Sequence, residues 1–431
     1  MGEQWSFSNG NEPTDEFKTM RQALDAASLN NPIVLSGNDG HHSAFNSTAL
    51  DRAQTKDGAV VGINKASMKA EFKDYKILIG QDAEGNPDGM VNEQARNLML
   101  APNLLEGDTS KLIKHALQIP KRLNSIGITS IRDAAFINTL APIYEKIAQE
   151  EQQSLRITLS QFYNPLDYLD ADNKVDWDDI AKQAAAIRAH FESYPYIRAD
   201  SMKIFIDGVA EGNPLAEPPS LPNAAKITAY KQPLISRDKE TGQLKIDGYV
   251  DPNSDACKDD KSNAKDFKSK HGFYPEQCTV SFGVLESPKD IEMEFVRRFD
   301  ADGYTLHMHV IGDRAVRTAL DALENARKLN GPNDKPHALA HIQFVHPDDI
   351  KRIGDLKLYL AYTYAWIKVD PEYDLSVMPF MDEIKDAHDL YQDNYYSFSQ
   401  AYPVNSTKDA GATLIGGSDA PVETRDPPSF L

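Results

Sequence analysis

A chain of 431 residues can bury a large core, enough for one large domain or two to three ordinary ones. Its 46 basic and 65 acidic residues leave a formal net charge of −19, which argues against nucleic acid and anionic membrane surfaces as partners. No stretch approaches the ~20 apolar residues of a membrane span. No basic lead or apolar run opens the sequence, so cytoplasmic location is the default expectation.

The first third is mixed. Residues 32–37 (PIVLSG) read as a short buried strand, followed by the polar run NDGHHSAFNSTAL. Within it, His41 and His42 point apart on an extended chain, so one of them is expected in a substrate pocket or as a cap. Residues 75–80 read as a second strand, followed by the turn-rich EGNPDG and a helix from about Asn92. Residues 1–110 are therefore expected to form a small mixed α/β subdomain.

From Thr109 the pattern turns regular. A helix over 112–126, kinked at Pro120, leads to the strand GITSIR at 127–132. Strands follow at 155–160 and, after a long helix over 177–191, at 201–207 (SMKIFID). Residues 208–286 then interrupt the alternation with a stretch rich in Pro, Asp and Lys, and a structureless run of that length reads as a lid. Both cysteines, Cys257 and Cys278, fall inside it. They are either a disulfide or two inert thiols; the thiols are favoured because nothing else marks the chain as exported.

Regularity returns with YTLHMHVIGDRAVRTALDALENA at 304–326. Its first half alternates, with His307 and His309 on the polar face of a strand; after Gly312 the period becomes helical, and Asp313 suits an N-cap. Further strands are expected at 337–343, 357–362 and 413–417. Seven strands alternating with helices from residue 111 to the end imply a parallel sheet. No glycine fingerprint for dinucleotides or phosphates marks any strand–helix turn.

Four polar residues stand at or near carboxyl ends of these strands: Lys203, His309, His341 and Asp419. In a (β/α) barrel such residues converge on one pocket. Two imidazoles and a carboxylate suit a divalent cation such as zinc. Lys203, inside an apolar strand, either pairs with a carboxylate such as Asp207 or is held neutral, and a neutral amine can take up carbon dioxide to become a metal-bridging carbamate. His307 either shares a metal with His309 or sits deeper and packs.

The order and spacing of GNPDGMVNEQA, NSIGITSIRDA, KIFIDG, LHMHVIGDRAV, HIQFVHPDD and GGSDAPVETRDP resemble the amidohydrolase superfamily, specifically the YtcJ-like amidohydrolases of amidohydrolase family 3. The resemblance implies a (β/α)8 TIM-type barrel. His309 then matches the fifth-strand metal ligand and His341 the sixth-strand one. Asp419 matches the eighth-strand aspartate that binds metal and moves protons, and Lys203 the fourth-strand lysine that is carboxylated. His41, His42 and Asp207 are expected to face the substrate. The implied activity is hydrolysis of amide-type C–N bonds in a small molecule by metal-activated water, with Zn2+ as the expected ion.

The family's first-strand H-x-H has no counterpart ahead of Pro13, and its C-terminal β-sandwich has none after Leu431. His307 and His309 do not replace it: 110 residues separate His309 from Asp419, too few for the rest of a barrel at about 30 per βα unit. The expectation is thus a barrel of strands two to eight that lacks the first, holds at most one metal ion and forms homo-oligomers through open sheet edges. A true amino terminus lying upstream would leave export open.

Overall fold

The computed structural model describes residues 2–5, 16–37, 42–55, 57–99, 109–149, 153–215, 218–238 and 243–419. Five short strands come first: β1 (Gly2–Trp5), β2 (Val34–Gly37), β3 (His42–Phe45), β4 (Ile79–Gln81) and β5 (Pro87–Asn92), in sheet order β1-β2-β3-β5-β4. They share a core of their own, built on Phe45, Leu50, Met68, Phe72, Ile79 and Val91. The strand expected at 75–80 is instead a 3-10 helix, Lys73–Leu78, running into β4, and the helix expected from Asn92 is a 3-10 helix, Glu93–Met99. Apolar runs this short fit a strand or a helical turn equally well.

The large sheet contains β6 (Ser130–Phe136), β7 (Arg156–Phe162) and β8 (Ile197–Phe205). After a separate antiparallel hairpin of β9 (Pro233–Arg237) and β10 (Leu244–Tyr249), it continues with β11 (Thr305–Val310), β12 (Ala338–His341), β13 (Tyr359–Tyr362) and β14 (Thr413–Gly416). All seven strands expected from the alternation are present. Their spatial order is their chain order, and every pairing is parallel. A doubly wound sheet would reverse its order at a switch point; this one never does. Each crossover therefore leaves its helix on the same face, and the sheet curls into a half-barrel with a concave inner face. Among the described residues β6 and β14 are its edges, and seven parallel strands form the curl, consistent with part of the (β/α) barrel that the resemblance implies.

Alternation sorts the side chains. Met202, Ile204, Leu306, Met308 and Val310 pack outward against Phe295, Phe299, Val316 and Leu320 of the surrounding helices. The alternate residues Lys203, Phe205, His307 and His309 take the concave face, and the register sets Lys203 beside His307 and Phe205 beside His309. The expected kinked helix is two helices, Thr109–His115 and Gln118–Ser125. Pro120 sits in the first turn of the second, where its missing N–H costs nothing.

The segment between β8 and β11 is not structureless. Beyond its hairpin it holds the helix Ala264–His271, and Cys257 and Cys278 are disulfide-bonded within a small core that includes Val250 and Phe267. The disulfide overturns the preference for thiols. Cross-linking a loop of 21 residues favours folding by about 3 kcal/mol, which lets short elements without detectable period hold together.

One outward-side carboxyl is out of place. Glu292, on the helix Lys289–Ala301, is fully buried and neither oxygen closes a hydrogen bond of good geometry. Burial pushes its carboxyl up to about 9; the Ser287 backbone and Arg314 pull down, while Asp207 and Glu286 add to the rise. A carboxyl with a raised folded pKa stabilises fully only below its unfolded pKa, and that stability is lost as pH rises towards the folded value, at about 1.4 kcal/mol per unit. Glu292→Gln mimics the protonated acid, so urea melts should show it a few kcal/mol more stable than wild type at pH 8 and nearly equal at pH 5. An equal gap at both pH values would show that Glu292 titrates normally.

Candidate active site

The inner face is built in layers. Deepest, Arg132 of β6 donates to Ser160 of β7 at 3.0 Å and also to Ser201 of β8. Above it lie Lys203 and His307, 3 % and 4 % exposed. His307 is kept neutral, its pKa driven well down by burial and then by Lys203, Arg132 and His341. In the register it lies beside Lys203, one layer in from His309, and its Nδ1 is buried with no hydrogen-bond partner among the described residues.

At the strand ends His309 and His341 come together, their rings edge to face with centroids 4.8 Å apart. His341 Nδ1 lies 2.9 Å from Thr363 Oγ1, and Trp366 stacks on its ring at 5.0 Å and 10°. His309 Nδ1 faces Asp207 Oδ1 at 3.4 Å, and its ring packs on Phe205. On its Nδ1 side His341 meets the Thr363 hydroxyl, and His309 faces the Asp207 carboxylate across 3.4 Å, an arrangement suited to metal-binding imidazoles.

Lys203 shares this floor. Burial pushes its ammonium down to about 8, with Asp419 pulling the other way, and its Nζ lies 4.2 Å from the Phe205 ring centroid. The charged neighbour of Lys203 is thus Asp419, from the far edge strand, rather than Asp207. Asp207 is fully buried: Oδ1 accepts from the Ile311 N–H, and Oδ2 from those of Ala225 and Gly312, at 2.8–2.9 Å. Burial nonetheless pushes its carboxyl up to about 7. Expected to face substrate, Asp207 instead stands behind His309, because those donors consume its oxygens.

His42 is buried in β3 opposite Asn92 of the small sheet, and His41 lies outside the described residues. Among the described residues no three His, Cys, Asp or Glu side chains converge as a metal cage. The structure thus brings together the imidazole pair, with Asp419 near enough to act on the charge of Lys203, and with no group of three such side chains among the described residues. Backbone strain marks the same region. Three of the seven described non-glycine residues with positive φ lie at or just after the ends of its strands: His341, Ile342 and Asp419. Such conformations cost about 1–3 kcal/mol each and gather at functional sites. Thr363 and Trp366 lie outside every motif that the sequence offers, and Glu93, though inside GNPDGMVNEQA, shows its role only through distant elements.

The family model described as "Amidohydrolase family" matches residues 1–228 and 275–431, nearly the whole chain. The chain belongs to the amidohydrolase family. Among curated relatives of this amidohydrolase, YtcJ of Bacillus subtilis (strain 168) is 21% identical over 431 residues, 99% of this chain and 62% of its own length. The exoenzymes regulatory protein AepA of Pectobacterium carotovorum subsp. carotovorum is 21% identical over 356 residues, 80% of this chain and 58% of its own. The chain thus spans about three fifths of the curated relatives it matches. An uncharacterized metal-dependent hydrolase from Pyrococcus furiosus has a similar fold, with a TM-score of 0.50 at 15% identity, over 96% of this chain and 63% of that one. The stretch 229–274, unmatched by the family model, covers the β9–β10 hairpin and most of the disulfide-closed loop.

Proposed function

We propose that this amidohydrolase is a metal-dependent hydrolase of amide-type C–N bonds in small molecules. The observation that carries the reading is the His309–His341 pair on the concave face, with a buried lysine of lowered pKa on the same floor. The donor chemistry fits a divalent ion such as Zn2+, which His309 and His341 would hold with Lys203, as its carbamate, supplying an oxygen donor. The similar fold of a metal-dependent hydrolase supports it. When bound, the metal would lower the pKa of water and polarise the scissile carbonyl.

The chain's own residues supply the rest. Asp207 orients the His309 ring and Thr363 that of His341. Asp419, three residues beyond β14, takes the proton from water and returns it to the leaving nitrogen, as base and then acid. Trp366 covers one face of His341 and keeps bulk water from it. The hairpin-bearing segment after β8 lies in the loop position that selects substrates in barrels.

Amide, formamide, ester and phosphoester panels, assayed on the Zn2+-loaded protein, test the reading. Turnover is expected on amides and to vanish in His341→Ala. Preference for esters or phosphoesters would keep the metal site and replace the substrate class.

A further inference from the structure

We infer that Glu93 is a positioning residue, reaching from the small sheet to hold the backbone that fixes Asp207 behind His309. Glu93 directly follows β5, is only 6 % exposed and adopts φ +47°, a conformation that non-glycine residues keep only under constraint. One hydrogen bond that it makes crosses 130 residues of sequence: its Oε1 accepts from Asn223 Nδ2 at 2.6 Å.

Asn223 is itself pinned. Its Oδ1 accepts the Val209 N–H at 2.7 Å, its own N–H donates to the Val209 carbonyl, and its carbonyl accepts from the Val284 N–H at 2.8 Å. Two residues on, the Ala225 N–H donates to Asp207, whose other oxygen faces His309. There is no slack along this path. A Cβ on Gly208 would lie 2.3 Å from Asn223 Oδ1 and 2.7 Å from Glu93 Oε1. A Cβ on Gly283 would meet the Ala224 carbonyl oxygen at 1.9 Å, and one on Gly312 the Ala225 oxygen at 2.0 Å. Segment 223–225 is thus wedged between two glycines, and packing this close passes a displacement on rather than absorbing it.

The carboxylate acts here as a hydrogen-bond acceptor. Its negative charge works against the neighbouring Asp207, so a neutral acceptor of the same shape should serve equally well. That separates Glu93 from a metal ligand or a substrate-binding charge, for which glutamine is no substitute.

The test compares Glu93→Gln, Glu93→Ala and Asn223→Ala with wild type by hydrogen exchange on the metal-free protein. In both alanine variants the Ala225, Ile311 and Gly312 amides should exchange about tenfold faster, the loss of one hydrogen bond to a charged group. The Ile157 amide of β7, bonded to the Tyr196 carbonyl, should stay unchanged, and Glu93→Gln should match wild type within about twofold. Unchanged exchange in Glu93→Ala, equal acceleration at Ile157, or a glutamine variant as damaged as the alanine one would each overturn the inference. A second readout rests on the metal reading above: Co2+ affinity, followed by its visible absorption, should fall about 10–100-fold in Glu93→Ala and persist in Glu93→Gln. If wild type itself takes up no Co2+, the metal reading fails, and the exchange pattern still decides the role of Glu93.

Discussion

His309→Ala should lower divalent-metal affinity by at least about a hundredfold, measured by calorimetric titration of chelator-stripped protein with Zn2+. Loss of a partner that merely orients a ligand is worth about 10–100-fold, and this substitution removes one of the two imidazoles at the centre. The wild-type stoichiometry should not exceed one ion per chain, since the proposed centre is built on one imidazole pair. His307→Ala should cost far less, since His307 lies a layer deeper, beside Lys203 in the register, and is neutral for reasons of burial. Equal losses in the two variants would make the strand's H-x-H a shared ligand pair. Two tightly held ions would show that residues beyond those described complete a second site.

Lys203→Met should separate stability from activity. A lysine whose folded pKa is lowered to about 8 costs the fold stability at every pH below that value, and the cost disappears as pH rises from 8 to the unfolded 10.5. At pH 7 the methionine variant should therefore be about 3 kcal/mol more stable than the metal-free wild type, with the difference closing by pH 10.5. The same substitution removes the amine on the floor that can add carbon dioxide with release of a proton, and amide hydrolysis should fall by about a thousandfold or more. In Lys203→Ala a short carboxylic acid should restore part of the rate by supplying the missing oxygens. Retained activity in either variant would leave Lys203 a structural cation paired with Asp419.

Much of this architecture is legible in the amino-acid sequence. Strict alternation in SMKIFID and TLHMHV puts Lys203, His307 and His309 on one face, and the repeat of strand and helix implies a parallel sheet, whose unbroken strand order appears only in the structure. Strand ends differ from the periodic runs by up to four residues, as at Ile197 and Phe136, because pairing extends a strand past its periodic part. What stays hidden is what needs two distant segments at once. Asp207 reads as a pocket residue until three backbone donors from two other segments close on it. Glu93 shows its role only through a partner that stands 130 residues on. The disulfide escapes a compositional reading because composition speaks of compartment and not of a small core that draws two cysteines together.

The segment after β8 enters and leaves the fold at one doorway. The Lys226 and Tyr230 amides bond to the carbonyls of Phe282 and Ser281, so its two ends run side by side. Between them lies a piece with its own apolar nucleus and covalent tie, most of it outside the family's shared pattern. Such a piece behaves like a cassette. It can be lengthened, exchanged or replaced by a short turn without tearing a strand from the half-barrel. A catalytic floor could thus keep its chemistry while its entrance is refitted for a different guest.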